Sequence, residues 1–280
     1  MTPISDPNRI YWEAVARSEP ADWAGLATEP DGVVEEWVED PAGLWLRPVN
    51  AVDGPVVLAV HGGGFVSGSA ATHRRMFGHL AGASRVPTFV VEYGLVPEHV
   101  FPSQLNTVTR AYRWLLEGGA TRVALAGDSC GAGLALALAL RARDSDFPTP
   151  AALLLISAWT DLEASGNSYD HGTDPFFSRE LVRGLGAGYL AGTDPHEPLA
   201  APAHAAVHGL PTTYLQVGAE ESLLDDSRQL AHRMCEAGVD VRLDEFADQL
   251  HSFQMAAGRT RVASTAITEG GSWLRAALMS

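Results

Sequence analysis

Residues 123–140 leave the chain little freedom. An apolar run, Val123-Ala124-Leu125-Ala126, breaks at Gly127-Asp128-Ser129-Cys130-Gly131-Ala132-Gly133 and continues into Leu134-Ala135-Leu136-Ala137-Leu138-Ala139-Leu140 without a polar residue. The pattern predicts a buried strand, a sharp turn and a buried helix. The turn fits G-x-S-x-G, in which glycines flank the serine because its strained backbone leaves no room for neighbouring side chains. Such a turn lifts the hydroxyl above the sheet edge and aims the positive end of the following helix at it, where developing negative charge is stabilised. Ser129 is therefore the candidate nucleophile. The pattern alone would arise about 0.2 times by chance in a chain like this, and a helix-capping serine would look the same, so its surroundings must decide.

Those surroundings alternate strand and helix. Val33–Glu39 and Gly43–Pro48 read as a hairpin, and Pro55–Val60 as a central strand that delivers His61-Gly62-Gly63-Gly64-Phe65. A helix over 73–83, a strand over 88–93, a helix over 103–117 and a strand over 122–126 lead into the serine turn. A strand over 151–157 follows, then a Gly/Asn/Asp-containing segment over 164–200 with a helix near 179–190, then strands over 212–217 and 239–246 and a closing helix over 260–278. This rhythm predicts an α/β protein with a mostly parallel, doubly wound sheet carrying helices on both faces, and ligands at the C-terminal strand ends. Residues 1–30, with Tyr11, Trp12 and Trp23, read as an N-terminal cap segment; 31–280 read as the main domain, with 164–200 inserted to complete a small helical cap.

Composition narrows the chemistry. The 280 residues are 46% apolar, enough for one large core, and no linker divides them. A net charge of −15 disfavours nucleic acid and anionic membranes. All nineteen basic residues are arginine, so a P-loop lysine and a Schiff-base lysine are excluded together. Two cysteines, Cys130 and Cys235, make no disulfide framework, and the first residues lack the charged and apolar regions of a signal peptide, so a cytoplasmic protein is expected. His204 and His208 stand four apart without a third ligand, and no full G-x-G-x-x-G is present; neither a metal nor another cofactor is expected.

A serine hydroxyl needs a base, and the base an acid to orient it. Glu221 and His251, on loops after the last two strands, supply the chain order Ser…Asp/Glu…His of an α/β-hydrolase.

With these motifs, the chain resembles the hormone-sensitive-lipase-like (bacterial family IV) esterases from about residue 30 onward. The matching stretches are His61–Phe65, Glu92–Pro102, Gly127–Gly131, Trp159–Asp161, Glu220–Asp226 and His251–Phe253. The resemblance implies a triad of Ser129, His251 and an acid at Glu221, with Asp225 as the fallback, and an oxyanion hole from the N–H groups of Gly63, Gly64 and Cys130. Phe65, Trp159, Phe176, Phe177, Leu185 and Phe253 are the candidate substrate-binding residues for a short-to-medium acyl ester or a hydrophobic lactone. Pairing of relatives through the terminal strand and helix leaves room for a homodimer. Cys130 stands where alanine is usual, Gly94 replaces an arginine, and Ala158 replaces a common proline. A non-hydrolytic cyclase or lyase using the same groups remains the alternative, since fold does not fix reaction; a ligand-binding receptor is disfavoured by the intact serine, histidine and acid.

Overall fold

A computed structural model of the chain describes residues 23–145, 147–171 and 173–280. The unbroken apolar run of strand β3 (Pro55–Val60) is explained by its place between two helical layers. Val56, Leu58 and Val60 enter one core cluster, Val57 and Ala59 the other, and all five are buried. A strand covered on both faces has no polar side to alternate with.

The sheet has eight strands: β1 (Val33–Glu39), β2 (Ala42–Pro48), β3, β4 (Thr88–Val91), β5 (Arg122–Asp128), β6 (Leu153–Ile156), β7 (Thr213–Gly218) and β8 (Val241–Phe246). Their spatial order is β1-β2-β4-β3-β5-β6-β7-β8. The hairpin β1–β2 pairs antiparallel with itself and with β4, and every pairing from β4 through β8 is parallel. Helices α1 (Ala70–Ser84) and α6 (Arg261–Met279) cover one face. Helices α2 (Ser103–Glu117), α3 (Cys130–Arg143) and α5 (Leu224–Glu236) cover the other. The expected fold is thus present, with β5 at the centre and its C-terminal end leading directly into the serine turn.

Helix α1 begins three residues before the expected 73. Ser69 accepts the Thr72 N–H at 3.1 Å, and Thr72 Oγ1 accepts the Ser69 N–H at 2.9 Å. This is a reciprocal capping box closed by threonine where glutamate or glutamine is the usual signal. Within residues 164–200 a 3₁₀ turn (Asn167–Asp170) precedes α4 (Arg179–Leu190), whose Val182, Tyr189 and Leu190 join the cluster formed by α2, α3 and α5. The expected N-terminal helices with Tyr11 and Trp12 lie outside the described residues. Trp23 starts a single 3₁₀ turn (Trp23–Gly25), and its ring meets His73 edge-on at 6.0 Å. No helix among the described residues is long and apolar enough to cross a membrane.

Candidate active site

Ser129 sits between β5 and α3 with φ 54° and ψ −126°, a left-handed backbone that a non-glycine residue adopts only under constraint. The constraint is visible. The Ser129 N–H donates to Ile156 O at 2.9 Å, and its own carbonyl accepts the Trp159 N–H at 3.1 Å. A Cβ at Gly131 would lie 2.2 Å from Val60 O, so only glycine lets the turn cross the end of β3 this closely.

The loops after β7 and β8 bring Glu221 and His251 together. His251 Nδ1 lies 3.6 Å from Glu221 Oε1, and the Glu221 side chain is fully buried. The other carboxylate oxygen, Oε2, accepts Ser157 Oγ–H at 2.7 Å and the Gly218 N–H at 3.1 Å. Ser157 Oγ in turn accepts the N–H of Ser252, the neighbour of His251, at 3.0 Å. One hydroxyl therefore joins the acid to the backbone of the histidine loop. The Phe177 ring stands edge-on to His251 at 4.6 Å. Burial by itself would depress the pKa of His251, but the adjacent Glu221 carboxylate, with the charges of Asp174 and Asp128, outweighs it and raises the pKa above the ordinary value. Asp225 is occupied elsewhere, accepting the Ser168 N–H at 3.0 Å and lying 3.8 Å from Arg228.

The glycine loop after β3 is held from below. Asp128 Oδ1 accepts the Gly62 N–H at 3.0 Å, while Asp128 Oδ2 accepts Ser252 Oγ–H at 3.3 Å and lies 3.5 Å from His73 Nε2. Asp128 thus touches the glycine loop, α1 and the histidine loop from the residue preceding Ser129. Burial would raise its carboxyl pKa, but the adjacent His73, aided by the charge of His251, holds it below the ordinary value. His61 itself, stacked on Tyr93 at 4.1 Å, is pushed down to about 3 by burial and by His73, and so stays neutral. Tyr93 donates to His61 O at 2.7 Å, and Gly63 takes φ +122°, where a Cβ would meet Ser67 O.

The thiol of Cys130 is fully buried, 3.7 Å from the Tyr93 hydroxyl. Burial pushes its pKa up to about 11 despite the nearby backbone of Phe65. A protonated, enclosed thiol does not compete with the neighbouring hydroxyl as a nucleophile.

Of the six expected substrate-binding residues, four converge and two do not. Phe65 stacks on Tyr189 of α4 at 3.7 Å and tilts against Trp159 at 5.4 Å. Leu185 of α4 approaches the glycine loop so closely that a Cβ at Gly64 would be 3.1 Å from its Cδ1. Phe177, beside His251, packs with this same cluster. Phe253 departs from the expectation: it is fully buried in the α1/α6 cluster against Phe246, with ring centroids 4.9 Å apart, and is a core residue. Phe176 also packs against that second cluster. Adjacent residues in an irregular segment face different layers, and no periodicity in the sequence distinguishes Phe176 from Phe177. Gly94 has a local cause as well, since the His99 ring fills the space where its Cβ would be, at 2.2 Å. His204 meets Glu163 and His196 in the fold.

Sequence reasoning missed Asp128, Ser157, Asp174 and His73 as supporting groups. Asp128 and Ser157 each end an apolar strand with a small polar residue, which is a readable signal; Asp174 and His73 are brought in only by tertiary packing.

The model of an α/β-hydrolase-fold family matches residues 57–255. The chain belongs to that family. It is 37% identical over 276 residues to an acetyl-hydrolase of Streptomyces hygroscopicus, covering 97% of this chain and 90% of the relative. It is also 34% identical over 240 residues to the carboxylesterase/phospholipase LipF of Mycobacterium tuberculosis, covering 81% and 64% of the two chains. Among solved structures, an esterase from the bacterial hormone-sensitive lipase family superposes with a TM-score of 0.91 at 34% identity, covering 98% of this chain and 99% of that one. The esterase EstE5, in crystals soaked with p-nitrophenyl butyrate, superposes with a TM-score of 0.91 at 30% identity, covering 99% and 100%. This α/β-hydrolase is a carboxylesterase of the hormone-sensitive-lipase-like group, as its motifs imply.

Proposed function

We propose that this esterase cleaves esters of short acids, acetyl esters foremost, with Ser129 as nucleophile, His251 as base and Glu221 as acid. His251 takes the proton of Ser129 Oγ as that oxygen adds to the ester carbonyl. Glu221 holds the imidazole in the tautomer whose Nε2 can accept the proton and offsets the charge formed. The N–H groups of Gly63, Gly64 and Cys130 receive the oxyanion, and such donors are each worth roughly 10²–10³ in rate. His251 then protonates the leaving alcohol, and water, deprotonated by the same ring, releases the acid and restores Ser129.

The observation that carries this reading is the buried His251–Glu221 pair, tied through Ser157 to the histidine loop. Preference for a short acyl group is supported by Leu185 against Gly64 and by the packed Phe65, Tyr189 and Trp159, and by the acetyl-hydrolase relative. The test is turnover of p-nitrophenyl acetate by wild type and Ser129→Ala, with an organophosphate adduct located by mass spectrometry. A single adduct on Ser129 and loss of turnover in the variant are expected. Undiminished turnover in Ser129→Ala overturns the assignment.

A further inference from the structure

Away from these groups, three side chains from three separate segments meet. Glu163 lies in the loop after β6, His196 in the turn after α4, and His204 at the end of the 3₁₀ turn Pro202–His204. A carboxylate oxygen and one ring nitrogen from each histidine all lie within 4.8 Å of one another. His196 Nε2 is 2.9 Å from Glu163 Oε2, and the two imidazoles meet edge-on with centroids 4.4 Å apart and planes at 85°. We propose that Glu163, His196 and His204 form a binding site for a divalent transition-metal ion of the zinc type, which clamps the chain leaving the cap helix onto the loop after β6.

The donor set selects the metal. Two imidazoles and a carboxylate suit zinc and its neighbours, whereas magnesium and calcium require oxygen ligands. In a tetrahedral zinc site, bond lengths of about 2.0–2.2 Å separate donors by about 3.4 Å, so no pair of donors needs to shift by more than about 1.4 Å, the His196–Glu163 pair opening slightly and the others closing. All three side chains are partly or well exposed and free to make that adjustment. A water molecule completes the fourth position.

The surroundings of His196 point the same way. Its Nδ1 lies 3.4 Å from Asp194 Oδ1, while its Nε2 faces Glu163. A neutral imidazole carries one N–H, so a carboxylate at each nitrogen leaves one lone pair facing an anion unless a cation stands between them. With a metal on Nε2, the Nδ1–H donates to Asp194, the outer-shell arrangement that orients a ligating histidine. The net charge of −15 raises the local concentration of any cation.

The clamp joins parts that the fold already brings near. Arg183 of α4 donates to Glu163 O at 2.7 Å, and the Ala203 N–H donates to Thr160 O at 3.1 Å. The site shares no residue with the proposed triad, so its test is independent of that reading.

Chelator-treated full-length protein is titrated with Zn²⁺ by isothermal calorimetry and with Co²⁺ by visible spectroscopy. One saturable Zn²⁺ site, a rise in Tm on loading and the intense visible bands of tetrahedral Co²⁺ are expected, with esterase turnover unchanged within twofold. Glu163→Gln, His196→Ala and His204→Ala should each weaken binding by about tenfold or more, with folding checked by circular dichroism. His232→Ala, which removes a separate exposed histidine 3.4 Å from Glu236, and Cys235→Ser should bind as wild type does. Absence of saturable binding in the wild type, or binding that survives the three ligand substitutions or disappears with His232 or Cys235, overturns the proposal.

Discussion

Asp128 Oδ1 accepts the backbone N–H of Gly62 at 3.0 Å, linking positions 66 residues apart in the chain. The residue before the serine thereby holds the loop proposed to receive the oxyanion, while its other oxygen takes the hydroxyl of Ser252 beside His251. Replacing it with alanine leaves the buried Gly62 N–H without its acceptor. That loss typically costs about 1–3 kcal/mol of stability and loosens two loops at once. For Asp128→Ala we expect a lower Tm and kcat on p-nitrophenyl acetate reduced by about tenfold or more, with KM changed much less.

The pH profile should carry the signature of His251. Only the neutral ring can take a proton, so activity falls as pH drops through the pKa of this residue; because that pKa is raised, the loss sets in above the ordinary histidine value of 6.5. In Glu221→Gln the largest raising influence is gone and burial remains, so the inflection in kcat/KM should move to lower pH while the plateau falls by about 10²-fold or more. Asp225→Asn should keep both plateau and inflection, as its carboxylate faces Ser168 and Arg228.

Leu185 against Gly64 limits the space beside the glycine loop. Leu185→Ala should raise kcat/KM for p-nitrophenyl hexanoate relative to the acetate by about tenfold, within the 1–3 kcal/mol that a methylene commands in an apolar pocket. Phe253→Leu is the contrasting variant. It should lower Tm through a core defect and leave the ratio between the two esters unchanged.

Asp226 offers a stability test. It accepts the N–H groups of Thr160 and Asp161, both at 2.9 Å, yet burial raises its pKa from 3.8 to about 7. The folded protein then holds a proton that the unfolded chain releases between about pH 4 and 7, so this group's contribution to stability declines as pH rises across that window. Asp226→Asn does not titrate. Its Tm relative to wild type should therefore improve between pH 5 and pH 8 by on the order of 5 °C, measured by scanning calorimetry.

The strands and most helices were legible because their burial is two-sided or amphipathic and local. Five consecutive apolar residues in β3 and the Leu/Ala run of α3 have no other use. The triad candidates were legible because each follows a strand in a fixed order. What escaped reading was whatever depends on two distant segments meeting. Thr72 closes its capping box where glutamate or glutamine is the usual signal, and Asp128 and Ser157, though marked by their places at strand ends, carry nothing local that names Gly62 or Glu221 and Ser252 as their partners. The core position of Phe253 has no mark in the sequence, because a phenylalanine next to a loop histidine looks the same whether it faces a ligand or the α6 layer.

Among the described residues, α4 meets the glycine loop through the apolar side chains of Leu185 and Tyr189, whereas Asp128, Ser157, Glu221 and His251 sit at strand ends and brace one another. Exchange of helix α4 for a differently shaped one, with Asp174 and Phe177 kept beside His251, would therefore change which acids and alcohols are accepted while leaving the strand-end groups in register. A scaffold divided in this way diversifies its diet readily and its chemistry hardly at all.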